Sequence, residues 1–382
     1  MKYEKIRFGS LYAIGSRNGL SKPSKVRGSG YKMINMGELF ANDRIYDIPM
    51  ELVPLKENEK INAKVEVGDL LFARQSLVLE GAGKCSIVME VSPLTVFESH
   101  LIRVRLVEEA NPSFYYYYFR SSLSPMKSIV NQCAQAGIRG SDLQELEVLF
   151  PPKQIQDKIV GILEQYDNLI DNNKKQIKLL EEMAQRLYKE WFVDLRFPGH
   201  EEVTIVDGIP EGWQKVSLTE IAPIVTGKKD ANFGTENGQY MFFTCAQEPI
   251  KAPSFSFDCD AVILAGNGDF NVKLFRGKFE AYQRTYVFSP FDNNNLYLLY
   301  YAVKDNMRQL FQGASGSTIK FLTKRMLEEI MVLLPDTNTL ERFTNSCECY
   351  QTKIEILNLQ IAAAKESRDR LLPKLMSGKI EV

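Results

Sequence analysis

Three short segments of this 382-residue chain hold residue types that could act on nucleic acids or nucleotides, and each lacks a part that its chemistry requires. Asn111-Pro112-Ser113-Phe114 resembles the Asn-Pro-Pro-aromatic tetrad that grips a flipped base for methylation at an amino group. The second proline is absent, however, and no glycine-rich cofactor loop between a strand and a helix accompanies it; Gly266-Asn267-Gly268 is a lone G-x-G. A turn that starts a helix accounts for the tetrad better. Gly81-Ala82-Gly83-Lys84-Cys85 looks like the end of a phosphate loop, yet Val78 stands where glycine is needed and Cys85 where Ser or Thr belongs. Pro335-Asp336 is not followed by the Asp/Glu-x-Lys triplet of a metal-dependent nuclease, and with only His100 and His200 a histidine triad has no material. Cys347 and Cys349 form a C-x-C pair, but residues two apart on a helix point in different directions and no further Cys or His lies near to complete a metal site. The expectation is no catalytic residue, no cofactor and no metal, with the six cysteines reduced.

The elements that would position any site come as a repeat. Leu143-Gln-Glu-Leu146-Glu-Val148-Leu149-Phe150-Pro151 lines up with Leu327-Glu-Glu-Ile330-Met-Val332-Leu333-Leu334-Pro335, an offset of 184 residues. In each copy a short amphipathic stretch enters an apolar strand that stops at proline. Upstream of each lies a Gly/Ser-rich turn with a basic residue, Ala136 to Ser141 and Gly313 to Lys320. After each proline the spacing turns helical. Leu340, Phe343, Cys347, Tyr350, Ile354, Leu357, Ile361, Ala364, Arg368, Leu371 and Leu375 alternate three and four apart, with only Arg368 breaking the apolar character. Ile155, Ile159, Ile162, Tyr166, Leu169, Asn173, Ile177, Leu180, Ala184, Leu187 and Trp191 do nearly the same, with an extra four-step at Asn173; a buried Asn173 would help fix register at some cost in stability. Two long amphipathic helices in one chain most simply pack on each other; the alternative is two separate bundles.

Ahead of each helix lies a segment of mixed character. Strand-like runs at Asp69–Ala73 and Leu101–Val107 and an aromatic helix at Phe114–Arg120 are echoed by Ala261–Ala265, Tyr282–Phe288 and a Tyr-rich helix at Leu296–Met307. The expected fold is α+β: two mixed α/β heads separated by two long helices packed as an antiparallel coiled coil. The boundaries fall at 1–151, 152–197, 198–335 and 336–382, with a Pro/Gly-containing linker from Phe197. Hydrophobic content of 45% supports real cores. Net charge is −1, which argues against gripping nucleic acid by bulk electrostatics alone, although residues 1–47 carry nine basic against four acidic side chains. No run reaches the length of a membrane span and the amino terminus lacks the apolar core of a signal peptide, so a cytoplasmic location is expected.

Four stretches together resemble the type I restriction-modification specificity subunits. They are Pro151 to Asp167 continuing to Asn173, Gln185 to Asp194, Ile209-Pro-Glu-Gly-Trp213, and Leu371-Leu-Pro373-Lys-Leu-Met-Ser-Gly-Lys379-Ile. The resemblance implies that each head is a target-recognition domain reading a few base pairs of double-stranded DNA, and that the helices act as a ruler. The site would be two half-sites around an unread gap, asymmetric because the heads differ. It also implies two methyltransferase subunits as partners, with restriction subunits engaged through them, and it leaves adenine methylation and cleavage to those partners.

Base reading then needs Arg, Lys, Asn, Gln, Ser or Thr on loops that enter a groove. In the first head the candidates are Lys22, Lys25, Arg27, Arg74, Gln75, Ser76, Lys84, Arg139 and Ser141. In the second they are Lys228, Lys229, Asn267, Lys273, Gln283, Arg284, Thr285, Ser317, Thr318 and Lys320. Arg74-Gln75 and Gln283-Arg284 stand out because they neighbour apolar strands at comparable depth in the two heads. Two other classes compete with this reading: a stand-alone adenine methyltransferase or nuclease, which binding of S-adenosylmethionine by the isolated chain would revive, and a structural coiled-coil scaffold.

Overall fold

The computed structural model of the chain describes residues 3–76, 78–132, 136–316 and 320–382. It divides into two compact units, Met1–Asn172 with Gln360–Val382, and Asn173–Leu359.

In the first unit a five-stranded sheet is built from β2 (Tyr12–Asn18), β3 (Arg44–Ile45), β4 (Leu70–Ala73), β6 (Cys85–Val88) and β7 (Leu101–Leu106), in the spatial order β2-β7-β4-β6-β3. The central strand β4 reads Leu-Leu-Phe-Ala without a polar residue because both its faces are covered. Leu70 and Phe72 join the core under helix α1 (Pro112–Arg120), and Leu71 and Ala73 join a second core with Met33, Ile34 and Phe97. Helix α1 is buried from Phe114 to Phe119, so its aromatic run is core on all sides. Asn111 caps it, its side chain accepting from Phe114 N, with Pro112 in the first turn, so the tetrad is a helix start. Gly83, in the phosphate-loop look-alike, has φ +76°, a turn conformation that glycine supplies.

The second unit repeats the plan in a six-stranded sheet. Its strands are β11 (Ile224–Thr226), β12 (Tyr240–Phe243), β13 (Ile250–Ala252), β14 (Phe257–Ala265), β15 (Val272–Ala281) and β16 (Thr285–Phe288), in the order β11-β16-β14-β15-β12-β13. Helix α4 (Leu296–Asp305) stands where α1 stands in the first unit, at the same 184-residue offset as the Pro151 and Pro335 segments. Strand β16 begins at Thr285, three residues later than the run read from Tyr282.

Each unit also closes its chain in the same way. Strand β1 (Glu4–Arg7) pairs antiparallel with β9 (Glu147–Phe150), and β10 (Gln214–Ser217) with β17 (Met331–Leu334). From β9 the chain enters α3 (Lys153–Tyr188), which continues as a π turn over Lys189–Val193; from β17 it enters α6 (Thr337–Met376). Among the described residues no helix is long and apolar enough to cross a membrane.

Both units contain a stretch of α3 and a stretch of α6, running antiparallel. In the first, Ile159, Val160 and Leu163 share a core with Leu372, Leu375 and Met376, and Asp167 faces Arg368. In the second, Tyr188 and Trp191 pack their rings on Phe343, with Cys347 in the same core. The α6 seam follows the spacing read from the sequence closely. The α3 seam does not: before Asn173 the buried face is Gln156, Ile159, Val160, Leu163, Asp167 and Ile170, while Leu169 is exposed. Asn173 is buried. The linker residue Phe197 is core as well, its ring tilted against Trp213 with centroids 4.6 Å apart, so the Pro/Gly stretch starts from a fixed point.

Candidate nucleic-acid interface

The loops that carry the strongest candidates are gathered by one backbone arrangement, present in both units. In the first, the chain leaves β4 at Arg74, whose N–H donates to His100 O (2.8 Å) and whose carbonyl accepts from Ile138 N (2.9 Å). Gln75 and Ser76 form β5 (Gln75–Ser76) and pair with β8 (Ala136–Gly137), in the register Gln75 with Gly137 and Ser76 with Ala136. Arg139 follows as the residue before α2 (Gly140–Glu145), which carries Ser141. Arg74, Gln75, Ser76, His100, Arg139 and Ser141 thus meet at the end of the central strand. Arg139 and Ser141 are exposed, and Arg74 to Ser76 are half-buried.

In the second unit the chain leaves β14 at Gly266, whose N–H donates to Arg284 O (2.8 Å) and whose carbonyl accepts from Leu322 N (2.8 Å). Asn267 bridges Phe321, and Thr323 caps α5 (Lys324–Glu328), accepting from Met326 N. The correspondence is residue by residue: Arg74 with Gly266, Gln75 with Asn267, Ser99 with Gln283, His100 with Arg284, Ile138 with Leu322. This differs from the pairing of Arg74-Gln75 with Gln283-Arg284 read from the sequence, because a candidate beside the end of one strand was matched to one at the start of its neighbour. Glycine at 266 has a local cause: a Cβ there would lie 2.5 Å from Arg284 O. Gly266, Gln283, Arg284, Tyr286, Phe321 and Leu322 line a recess of 320 Å³, with Gln283 and Arg284 exposed at its edge. Tyr286 Oη donates to Leu322 O (2.9 Å) and fixes one wall.

The other candidates are placed as follows. Lys320 is next to the second hub; its carbonyl accepts from Gly268 N, while Nζ donates to Phe311 O and lies 4.1 Å from that ring's centre. Lys229 is joined to it through Gln283 N, which donates to Lys229 O, and its ammonium covers the Phe233 ring. Lys228 is exposed beside it. Thr285 is fully buried and donates to Phe243 O, so it braces the hub from inside. Lys273 donates to Ala246 O and to Asn271 Oδ1, and burial lowers its pKa. In the first unit, Lys22 is held by Glu59 (Nζ–Oε2 2.8 Å), whose carboxyl lies below its usual range because of that hydrogen bond. Arg27 is spent on Glu51 and on Lys22 O, and Lys84 on Asp43 and Phe40 O. Lys25 is exposed on a short turn, Ser24–Val26. Ser317 and Thr318 lie outside the described residues.

Sequence reasoning passed over His100, Phe321 and Thr323, which the hubs bring in. Extending the 184-residue offset upstream would have found them, since it sets Ser99-His100 against Gln283-Arg284. Among the described residues no group of three or more His, Cys, Asp or Glu is placed to hold a metal ion. Cys347 is buried and Cys349 exposed, on different sides of α6.

The arrangement therefore offers loops with amide, hydroxyl and guanidinium groups on a rigid strand end, which suits hydrogen bonding to base edges. Comparison with known proteins points the same way. A family model described as the type I restriction modification DNA specificity domain matches residues 2–182 and 210–358. The chain is 34% identical over 176 residues to the type I restriction enzyme EcoDI specificity subunit of Escherichia coli, an alignment covering 45% of this chain and 39% of that protein. It is 25% identical over 300 residues to the MjaIX specificity subunit of Methanocaldococcus jannaschii, covering 70% and 69%. The crystal structure of the S subunit of a type I restriction-modification system from M. genitalium shares its fold, with a TM-score of 0.57 at 17% identity over 98% of this chain and 96% of that one. With both of its units matched, this chain belongs to the type I restriction-modification DNA specificity family.

Proposed function

We propose that this chain is the DNA-specificity subunit of a type I restriction-modification complex, reading a bipartite, asymmetric site in double-stranded DNA with one hub per unit. It has no catalytic role of its own. It directs adenine methylation by two methyltransferase subunits, and restriction by translocating subunits that engage through them, in the cytoplasm. The observation that carries this reading is the hub built twice on one backbone plan with different side chains: Arg74, Gln75, His100 and Arg139 in one copy, Gly266, Asn267, Arg284 and Thr323 in the other. A shared frame with exchanged contact residues is what two half-sites of different sequence require.

Single-molecule sequencing of modified adenines tests it. Genomic DNA from a host expressing this chain with its neighbouring methyltransferase should carry a methylated motif in two parts that disappears when this chain is deleted. Methylation that persists unchanged without the chain would refute the assignment. The isolated chain is expected not to bind S-adenosylmethionine, and calorimetry showing that it does would restore a catalytic reading.

A further inference from the structure

Beside the hub of the first unit lies a recess of 410 Å³, lined among others by Ser16, Arg17, Lys64, Glu66, Arg103 and Arg105. Ile102, Val104 and Leu106 turn from β7 into the core under α1, so Arg103 and Arg105 occupy the opposite face, with Arg17 of β2 directly across from Arg103. The charges there do not cancel. Arg105 is committed to Asp69 (Nε–Oδ1 2.7 Å) and Glu66 (Nη1–Oε2 2.7 Å), and Lys64 reaches the same Glu66 at 3.4 Å. Arg17 and Arg103 hydrogen-bond to neutral carbonyls, Asn62 O (3.1 Å) and Lys64 O (2.7 Å), Arg103 also lies over the Phe97 ring at 5.7 Å, and neither has a carboxylate within 4.0 Å among the described residues. Arg103 is 5% exposed, and its Nε is buried without an acceptor.

A buried, unpaired cation is costly, and packing does not demand it here. Strand β16 of the second unit holds the equivalent place with Val287: Ala73 pairs with Leu101 as Ala265 does with Thr285, which sets Arg103 against Val287, a fully buried valine. The fold accepts an apolar residue at this position and carries an arginine only in the first unit. The recess also adjoins the hub. His100, which holds Arg74, is three residues from Arg103 on the same strand, about 10 Å at 3.3 Å per residue. Ser16 Oγ accepts from Gln144 Nε2 (3.1 Å) of α2, the helix that Arg139 precedes.

We propose that this recess binds one phosphate of the DNA backbone, with Arg17 and Arg103 as its ligands and Ser16 as a further donor, and so sets the register in which the first unit meets its half-site. The proposal rests on the DNA-reading function argued above. A phosphate offers several acceptors to the unused N–H groups of two guanidiniums and supplies negative charge where Glu66, the one carboxylate of the lining, is already engaged by Arg105 and Lys64.

The test uses the complete complex with its methyltransferase subunits, and compares Arg17→Ala and Arg103→Val with wild type. Binding is followed from about 50 to 200 mM salt, on a duplex carrying the methylated motif and on a scrambled duplex. Each variant should lower the slope of log K against log salt by about 0.9, the value of one lost phosphate contact, and weaken both duplexes by the same factor. Gln75→Ala, at the hub, should affect the motif duplex alone and leave the slope unchanged. Wild-type slopes in both arginine variants would overturn the proposal. So would stabilisation of the wild-type complex by inorganic phosphate, at matched ionic strength, that the variants lose while their slopes stay unchanged, since the recess would then serve a free anion. Arg17 is exposed, so its variant decides the matter even if Arg103→Val misfolds. A wild-type complex that binds neither duplex would overturn the DNA reading itself, an outcome distinct from silent variants of a binding complex.

Discussion

Arg284 shows how a single residue divides its work. Its carbonyl accepts from Gly266 N and closes the hub, while its side chain is exposed at the rim of the recess with Gln283. Truncating the side chain leaves the backbone bond intact, so Arg284→Ala should keep the fold and lose discrimination at one position of one half-site. A bidentate base contact is worth about 1–3 kcal/mol, or roughly 5- to 150-fold. The modified-adenine pattern should therefore loosen in that half and stay fixed in the other. An unchanged motif would remove Arg284 from the reading set. Thr285, one residue on, makes the contrast: it is fully buried and bonded to Phe243 O, so Thr285→Val should cost about 1 kcal/mol of stability without altering the motif. Nothing in the sequence separates these neighbours, because both sit at the start of one strand. Which of them faces inward follows from the pairing of Ala265 with Thr285, a contact between residues 20 apart.

The helices are legible in length and pairing, yet the face that α3 buries before Asn173 lies one residue, about a quarter of a turn, from the one that the apolar spacing marks. Apolar residues at 155, 162, 166 and 169 make a seam on paper; the structure buries Gln156 and Asp167 instead because the head and α6 supply their partners. Gln156 donates to Pro151 O and accepts from Asn111 N, and Asp167 accepts from Tyr117 Oη (2.6 Å) and Arg368 Nη1 (2.5 Å). Asn111, Tyr117 and Arg368 are distant in sequence, so periodicity alone cannot reveal them. Arg368, the one break in the α6 seam, is thereby explained. Arg368→Met should destabilise the first unit by about 3–5 kcal/mol, since it strands a buried carboxylate, whereas the double change with Asp167→Leu should recover most of that loss in chemical unfolding. Equal losses in single and double variants would count against the pair. The second unit ties its sheet to α6 through Arg276 of β15 and Glu348 (Nη2–Oε2 2.6 Å), with Tyr297 Oη also donating to Glu348. The Arg276 hydrogen bonds hold the Glu348 carboxyl below its ordinary range. Its contribution is therefore present above the unfolded pKa and lost as pH falls through the folded one. Glu348→Gln should lower stability at neutrality, where that contribution is fully present, and change little well below the folded pKa, so the fall in stability from about pH 4 downward flattens when chemical unfolding is followed against pH.

At the scale of the whole chain, near-neutral charge with local basic sites fits a reader whose DNA contacts are concentrated in a few loops. Each long helix begins in one compact unit and ends in the other, so under the proposed function a change in its length tests whether the helices space the half-sites. Removing one heptad from α3 alone, at the border near Asn173, shifts every later side chain against α6 and should abolish stable assembly with the methyltransferase. Removing one heptad from both helices, near Asn173 and Gln360, restores the match and shortens each by about 10 Å, close to three base-pair steps. The methylated motif should then keep both half-sites while its unread gap contracts by about three base pairs. A matched deletion that altered the bases of either half-site would show that the helices shape the hubs as well as space them, and the ruler would have to be abandoned.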